Sequence, residues 1–369
     1  MLPKHASLAA SQVALDRKRL GDRPALLARK WKRMAASPFA FLRGAALLFD
    51  ETLRREGSWS KGPAGGGSLV GDLHLENFGV FLADGGESIF HVNDFDALRD
   101  GPWRFDVLRL LTSVLLARPE LKASGTQAQE LARTALEGYQ QGLGGKRLSP
   151  PAFVLDLCRA AGEVPRSKLI AKHLDGEKIV RDEKHPAAPA VLAKLIPAAL
   201  VKWSVSLPGE FGPAAEQLKV LDVRRRISGT GSLGVERLLV LTAGDFRGPW
   251  LLEAEDVDFS AERVVEAMRG AVKKPPALIG SAQVGKHQMV IRPMASGEDK
   301  LSLENLEEAQ VPAVIRFLGA MAGQVHRRLA RSRIKLWTPK EQRALLASTR
   351  RLAALHEEAF IDFCALLHP

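Results

Sequence analysis

Apolar residues recur at three- and four-residue spacing through the first sixty positions, a period that predicts helices. ALLARKWKRMAA is amphipathic and should stop near Ser37-Pro38, and FAFLRGAALLFDETLRRE resumes the same spacing. KGPAGGG, Lys61 to Gly67, predicts a loop. SLVGDLHLENFGVFLADGGESIFHVNDFD has short apolar runs between polar clusters, so it predicts short strands with a turn at Ala83–Gly86. WRFDVLRLLTSVLLA returns to helical spacing, and a second helix should end near Leu143. Ser149 to Pro213 is mixed and proline-rich, with a hairpin expected at HLDGEKIV. From about Leu218, KVLDVRRRIS, VERLLVL and GPWLLEAEDV read as three strands, with GTGSLG as a glycine turn between the first two. A helix at AERVVEAMRGAV, a strand at HQMVIRPM and helices from Val311 onward complete the pattern.

Composition narrows the class. The chain has 369 residues, 46% of them hydrophobic, enough for a sizeable core and two lobes. Cys158 and Cys364 lie far apart and give neither a disulfide framework nor a zinc spacing, as expected in a reducing cytosol. The N-terminus lacks the apolar segment of a signal peptide, and LLTSVLLA is too short to span a membrane. A cytoplasmic protein is therefore expected, with no membrane partner. The net charge of +11 attracts nucleic acid, anionic lipid or phosphorylated ligands, and a merely basic surface explains it as well. With one tyrosine and no stacking platform, nucleic acid is not the favoured partner.

Candidate chemistry concentrates in GDLHLENFG and NDFD. Asp72 and Asn77 have the D-x-x-x-x-N spacing of kinase catalytic loops, where the aspartate orients or deprotonates an attacking hydroxyl and the asparagine holds magnesium. Asp94, after the strand SIFHV, is the candidate for the second metal ligand, and Asp96, which completes a D-F-D that resembles D-F-G, is a further candidate metal ligand. A solvated loop with a capping aspartate is the simpler alternative. GDLHLEN also resembles the form found in small-molecule kinases of the aminoglycoside and choline type, although Val70 stands where those carry histidine. Asp106, on the following helix, should hydrogen-bond the loop backbone. His74 is expected to order the loop, the alternative being a metal ligand. Arg43, amid apolar residues, should pair with a loop acid, the alternative being a phosphate or substrate contact.

GTGSLG fits G-x-G-x-x-G, which alone is a weak signal. Strands on both sides favour a phosphate-covering flap in which Gly229, Gly231, Ser232 and Gly234 face a nucleotide. A plain hairpin turn and a dinucleotide fingerprint are the alternatives. The fingerprint needs a helix opening at Gly234.

RMAASPFAFLRGAA, GDLHLENFG, VNDFDALRDGPWRFDVLRL, VRRRISGTGSLG, AERVVEA and FLGAMAGQVHRR together resemble the bacterial domain of unknown function 2252 family, which is grouped with kinase-like folds. The resemblance covers most of the chain. It implies an α+β, protein-kinase-like, two-lobed fold with a helix-rich large lobe and a small antiparallel-sheet lobe. It also implies ATP and Mg2+ binding, with Asp72, Asn77 and Asp94 on the matching positions. Because the glycine turn follows Asp72, the motif order is that of a circular permutation. Residues 1–215 are then a large-lobe portion, 216–300 the small nucleotide-binding-like lobe, and 301–369 helices returning to the large lobe. Where the resemblance calls for a strand lysine, this chain has Glu255; Glu266 is the candidate for the helix glutamate. The missing cation is then expected from Arg292 or Lys286. The expected function is Mg-ATP-dependent phosphotransfer to an unknown hydroxyl-bearing acceptor, either a small molecule or a protein. A nucleotide- or protein-binding pseudokinase is the alternative, and a basic nucleic-acid-associated protein is a third.

Overall fold

The N-terminal periodicity becomes four helices, α1 (Leu8–Leu20), α2 (Pro24–Met34), α3 (Pro38–Gly44) and α4 (Ala46–Arg55). They belong to a computed structural model that describes residues 7–55, 59, 62–83, 86–207, 213–227, 234–246, 248–294, 301–331 and 333–367. Ser37 caps α3 by accepting the Ala40 N–H at 3.1 Å, and Pro38 fills the first turn, where no donor is needed. The single helical run expected from Phe39 breaks at Ala45, whose N–H turns back to the Leu42 carbonyl. Gly44 is kept free of a side chain by Met34, whose Cγ would lie 2.4 Å from an added Cβ.

Two small antiparallel pairs follow. β1 (Gly66–Leu69) pairs with β4 (Arg99–Pro102), and β2 (Phe78–Leu82) pairs with β3 (Ser88–Val92). The predicted β2–β3 hairpin is present, whereas β1 begins inside the expected glycine loop. α5 (Arg104–Leu116) is buried on nearly every side. α6 (Gly125–Leu143) starts with a capping box between Ser124 and Gln127.

The proline-rich stretch holds more helix than its composition suggests. It forms α7 (Ala152–Glu163), α8 (Arg166–Ala171), the hairpin β5 (Leu174–Asp175)–β6 (Lys178–Ile179), and α9 (Ala190–Ser206). Pro189 caps α9 and Pro197 sits inside it with its ring exposed.

A five-stranded antiparallel sheet comes next, in the order β10-β11-β9-β8-β7. Its strands are β7 (Val220–Arg225), β8 (Arg237–Asp245), β9 (Gly248–Asp256), β10 (Gly280–Val284) and β11 (His287–Pro293), and α10 (Ala261–Ala271) links β9 to β10. β10 is absent from the sequence reading because GSAQV alternates only weakly: its inward positions Gly280 and Ala282 are small, and Val284 is its one sizeable apolar side chain. One face of the sheet is apolar and covered by Leu192, Ile196, Leu200 and Trp203 of α9, so the body around the sheet begins ahead of residue 216. The opposite face is apolar at one end (Leu239, Leu241 and Leu251) and ionic at the other.

Two long helices close the chain, α11 (Val311–Arg328) and α12 (Pro339–Leu367). α11 lies against α6 at backbone contact. Gly138 and Gly142 of α6 face Gly319 and Gly323 of α11, and a Cβ on Gly142 would stand 1.9 Å from the Ala320 carbonyl oxygen. The described part is thus mixed α+β, and α6, α11 and α10 share one large core with the two small strand pairs.

Gly142→Ala tests this helix contact. Alanine raises intrinsic helix propensity by about 1 kcal/mol, but the methyl meets backbone rather than a movable side chain. Urea denaturation should give a net destabilisation of about 1–3 kcal/mol, whereas Gly125→Ala, which has open space around it, should not destabilise.

Candidate functional site

The loop between β1 and β2 is held from below by one carboxylate. Asp106, fully buried on α5, accepts the Val70 N–H at 2.7 Å and the Gly71 N–H at 3.0 Å. Its Oδ2 also lies 3.0 Å from His326 Nε2 of α11, and His326 Nδ1 lies 3.0 Å from the Tyr139 hydroxyl of α6. Trp103 stacks on the His326 ring. Burial opposes the Asp106 charge, but the His326 hydrogen bond and charge, Arg99 and the Gly71 N–H together hold its pKa below the ordinary aspartate value. Asp106 therefore has the loop-holding role expected of it.

Gly71 has φ +93°, and an added Cβ would lie 1.9 Å from the Ala97 carbonyl oxygen. That contact brings the Asp72 loop against the 94–98 turn. Asp72 accepts from Arg109 Nε at 2.7 Å, and the Arg109 guanidinium is almost wholly buried, over the Phe49 ring. Burial pushes Asp72 up to about 6; Arg109 and Arg43 oppose the rise, and the Asp94 charge adds to it. Asn77 donates to the Asp72 carbonyl at 2.9 Å, which leaves its buried Oδ1 without a hydrogen bond. His74 Nδ1 accepts the Glu76 N–H at 3.1 Å, so it orders the loop. Arg43 pairs with Glu76 at 2.5 Å, the loop acid expected as its partner.

In the second loop Asp94 accepts the Asp96 N–H at 3.2 Å. Asp96 lies 3.8 Å from Arg237 of β8. Burial and the neighbouring Asp94 push the Asp96 carboxyl well above the usual carboxylate range, against Arg237 and Arg292. The two carboxylates and the ionic face of the sheet thus form one continuous polar junction.

That face carries five charged groups. Strand pairing sets Arg237 opposite Glu255 and Arg292 opposite Glu253. Glu253 lies 2.5 Å from Arg226, 3.5 Å from Arg237 and 3.8 Å from Arg292. Burial opposes its charge, but these guanidiniums bring its pKa below the ordinary glutamate value. Glu255 pairs with Arg237.

The other expected positions divide. Gly229, Gly231 and Ser232 lie outside the described residues. Gly234 has φ +108°, and its carbonyl accepts from Arg23 at 3.3 Å. No helix opens there: β8 follows and pairs antiparallel with β7, which removes the dinucleotide-fingerprint alternative. Arg292 reaches the junction. Lys286 does not; it is exposed in the β10–β11 turn, six residues and so about 20 Å along the strand from Arg292. Glu266 is exposed on α10, because the buried stripe of that helix is Val264, Val265 and Met268, so it does not face Glu255. Sequence reasoning missed Arg226, Arg237 and Glu253. The signal was there: LLEAED sets two acids on one face of a strand, and buried acids require cations on the neighbouring strands.

Among the described residues no group of three or more His, Cys, Asp or Glu side chains is gathered as a metal site. Magnesium bound with a nucleotide needs few protein oxygens, and Asn77 Oδ1 and the Asp94 carboxylate are donors of the right kind. No described helix is long and apolar enough to cross a membrane.

Asp106→Ala would strand two backbone N–H groups and His326. Urea titration at pH 7 should show a loss of about 3–5 kcal/mol. Because the folded pKa of Asp106 is depressed, its contribution is present above the unfolded value near 4 and is lost as pH falls through the folded value, so the gap to wild type should narrow in acid.

A family model described as "Uncharacterized protein conserved in bacteria (DUF2252)" matches residues 22–152 and 251–366. The matched segments contain both loops, Glu253, Glu255 and Arg292, and leave out Arg226 and Arg237. No curated protein and no solved structure matches the chain.

Proposed function

The chain belongs to the bacterial family DUF2252, and from that premise and the polar junction we propose a kinase-like, Mg-ATP-dependent phosphotransferase acting on a hydroxyl-bearing acceptor. One observation carries the reading: the D-x-x-x-x-N loop, the Asp94–Asp96 turn and a cationic sheet face meet, although they lie far apart in sequence. The sheet supports it further. Its first two strands flank the glycine run, its third carries the charged positions, and a helix follows the third, the order of parts in a kinase small lobe. In this reading the lobes are permuted, with residues 216–300 lying within the small one.

Asp72 is the base that takes the acceptor's proton; a carboxyl raised to about 6 suits that work better than an ordinary aspartate. The acceptor oxygen bonds to the terminal phosphorus of ATP, the bond to the bridging oxygen breaks, and ADP leaves with the electron pair. Arg109 orients Asp72 and stabilises its ionised form. Asn77 Oδ1 and Asp94 would hold magnesium, which neutralises phosphate charge when bound. Arg237, Arg226 and Arg292 supply the cations for which kinases use a lysine, and guanidiniums can face a carboxylate and a phosphate together. Glu253 and Glu255 give the second reading its support: two acids among these cations also suit a module that holds a nucleotide without turnover.

Calorimetric titration with Mg-ATP should detect binding, and Arg237→Ala should weaken it at least about tenfold, roughly 1.4 kcal/mol. Asp72→Asn should bind Mg-ATP but not turn it over. In the wild type, turnover should fall as pH drops through about 6, where Asp72 takes up its proton. Binding with no turnover at any pH would select the second reading, and no binding at millimolar nucleotide would contradict both.

A further inference from the structure

Two histidine rings meet where the β5–β6 hairpin is tied to β7. His173, between α8 and β5, has its Nδ1 3.3 Å from Nε2 of His185. His185 Nδ1 lies 2.8 Å from Asp182 Oδ1, and the same oxygen accepts the Lys184 N–H at 2.9 Å and the His185 N–H at 2.8 Å. The His185 carbonyl accepts from Arg224 Nε at 2.9 Å, and the Lys184 and Pro186 carbonyls on either side accept the Ile227 and Arg225 N–H groups. His185 is therefore fixed along the edge of β7. His173 is fixed through its carbonyl, which accepts the Val180 N–H at 2.9 Å across the hairpin. His185 is buried and His173 half-buried, so His173 is the member of the pair open to solvent. Both lie outside the segments matched by the family model, and neither takes part in the proposed nucleotide chemistry.

The partners fix the tautomer. An ionised carboxylate only accepts, so His185 Nδ1 carries the proton and its Nε2 presents a lone pair toward His173. The 3.3 Å between the rings is long for a hydrogen bond, which usually spans about 2.7–3.2 Å between heavy atoms. It is the edge of a tetrahedron around zinc: two nitrogens each about 2.0–2.1 Å from one ion stand roughly 3.3–3.4 Å apart. An imidazole whose other N–H is held by a carboxylate is also the arrangement that orients metal-binding histidines. We propose that His173 Nδ1 and His185 Nε2 bind one Zn2+ ion, with Asp182 as the residue that positions His185. Two imidazoles do not suit oxygen-seeking Mg2+. They are fewer than the three or more side chains of a closed site, which the described residues do not gather, so water or a donor atom of a bound molecule completes the shell. The charges of Lys172 and Arg226 oppose a cation at His173, so the affinity depends on the direct Asp182 contact. The ion would clip α8 and the β5–β6 hairpin to β7. Those elements carry Ile170, Leu174 and Ile179 over Leu239, Leu241 and Leu251 of the sheet.

Calorimetric titration of the full chain, free of any histidine tag, with ZnCl2 tests the site. The wild type should take up one equivalent of Zn2+ at submillimolar metal. His173→Ala and His185→Ala should each weaken that binding at least tenfold, and His185→Gln should repeat the loss if His185→Ala melts early. Asp182→Asn should weaken it by about tenfold to a hundredfold, the range for a residue that acts through a metal ligand. His287→Ala, which removes a histidine paired with Asp256 instead, should change it less than twofold. Zn2+ should raise the melting midpoint of the wild type and leave that of His173→Ala unmoved. No uptake at submillimolar Zn2+ would overturn the proposal and leave the pair a long hydrogen bond. Undiminished uptake in His173→Ala would overturn it too, because the ion would then sit elsewhere. So would displacement of the ion by millimolar Mg2+, which would mark oxygen ligands. The site does not rest on the phosphotransferase reading: a separate Mg-ATP titration tests that reading, and its failure leaves the zinc site standing.

Discussion

The Asp106 carboxylate is the interaction on which the arrangement of the site depends. A fully buried charge is tolerated only where its lone pairs are filled, and here two backbone N–H groups and His326 fill them. Because those partners come from the Asp72 loop and from α11, one side chain joins the N-terminal third of the chain to its last fifth. Tyr139 extends the network into α6, which α11 meets at backbone distance through facing glycines. The Asp72 loop therefore rests on rigid helices, and its position does not depend on the loop's own weak local preferences.

A second constraint follows from the sheet. Residues 253 and 255 point to the same side as Arg237 and Arg292, so strand alternation concentrates opposite charges on a half-buried surface. Guanidiniums suit that surface because they keep their charge when desolvated and can face two anions at once. The Asp96 carboxyl meets the same surface from the other side, and the proximity of Asp94 makes holding both charges costly. A ligand that brought its own cation to these two carboxylates would relieve that cost.

Much of this was legible in the sequence, for identifiable reasons. Asp106, Arg43 and His74 could be assigned because a polar side chain amid apolar neighbours must find a partner, and the nearest polar loop supplied it. Hairpins at β2–β3 and β5–β6 were marked by turn residues between β-like runs. α9 was not legible: Pro189 and Pro197 read as breakers, yet one is a cap and the other lies exposed where the helix is held by its buried face. Glu266, expected as the helix glutamate, and Lys286, expected as an alternative cation, both lie exposed. Helix phase turned the first outward, and the length of β11 separated the second from Arg292. Arg237 was overlooked because its partners, Glu255 and Asp96, are brought to it only by sheet pairing and by the approach of the loop.

The central proposal is that the Asp94 turn and the sheet cations would bind opposite ends of one magnesium-bound triphosphate. A crystal structure of the protein grown with a non-hydrolysable ATP analogue and Mg2+ tests it most directly. The account predicts phosphate density between Asp94 and Arg237, a metal bound by Asn77 and Asp94, and Arg237 drawn from Glu255 toward the phosphates. Phosphate density elsewhere, or an empty junction with Arg237 still on Glu255 at saturating analogue, would contradict it.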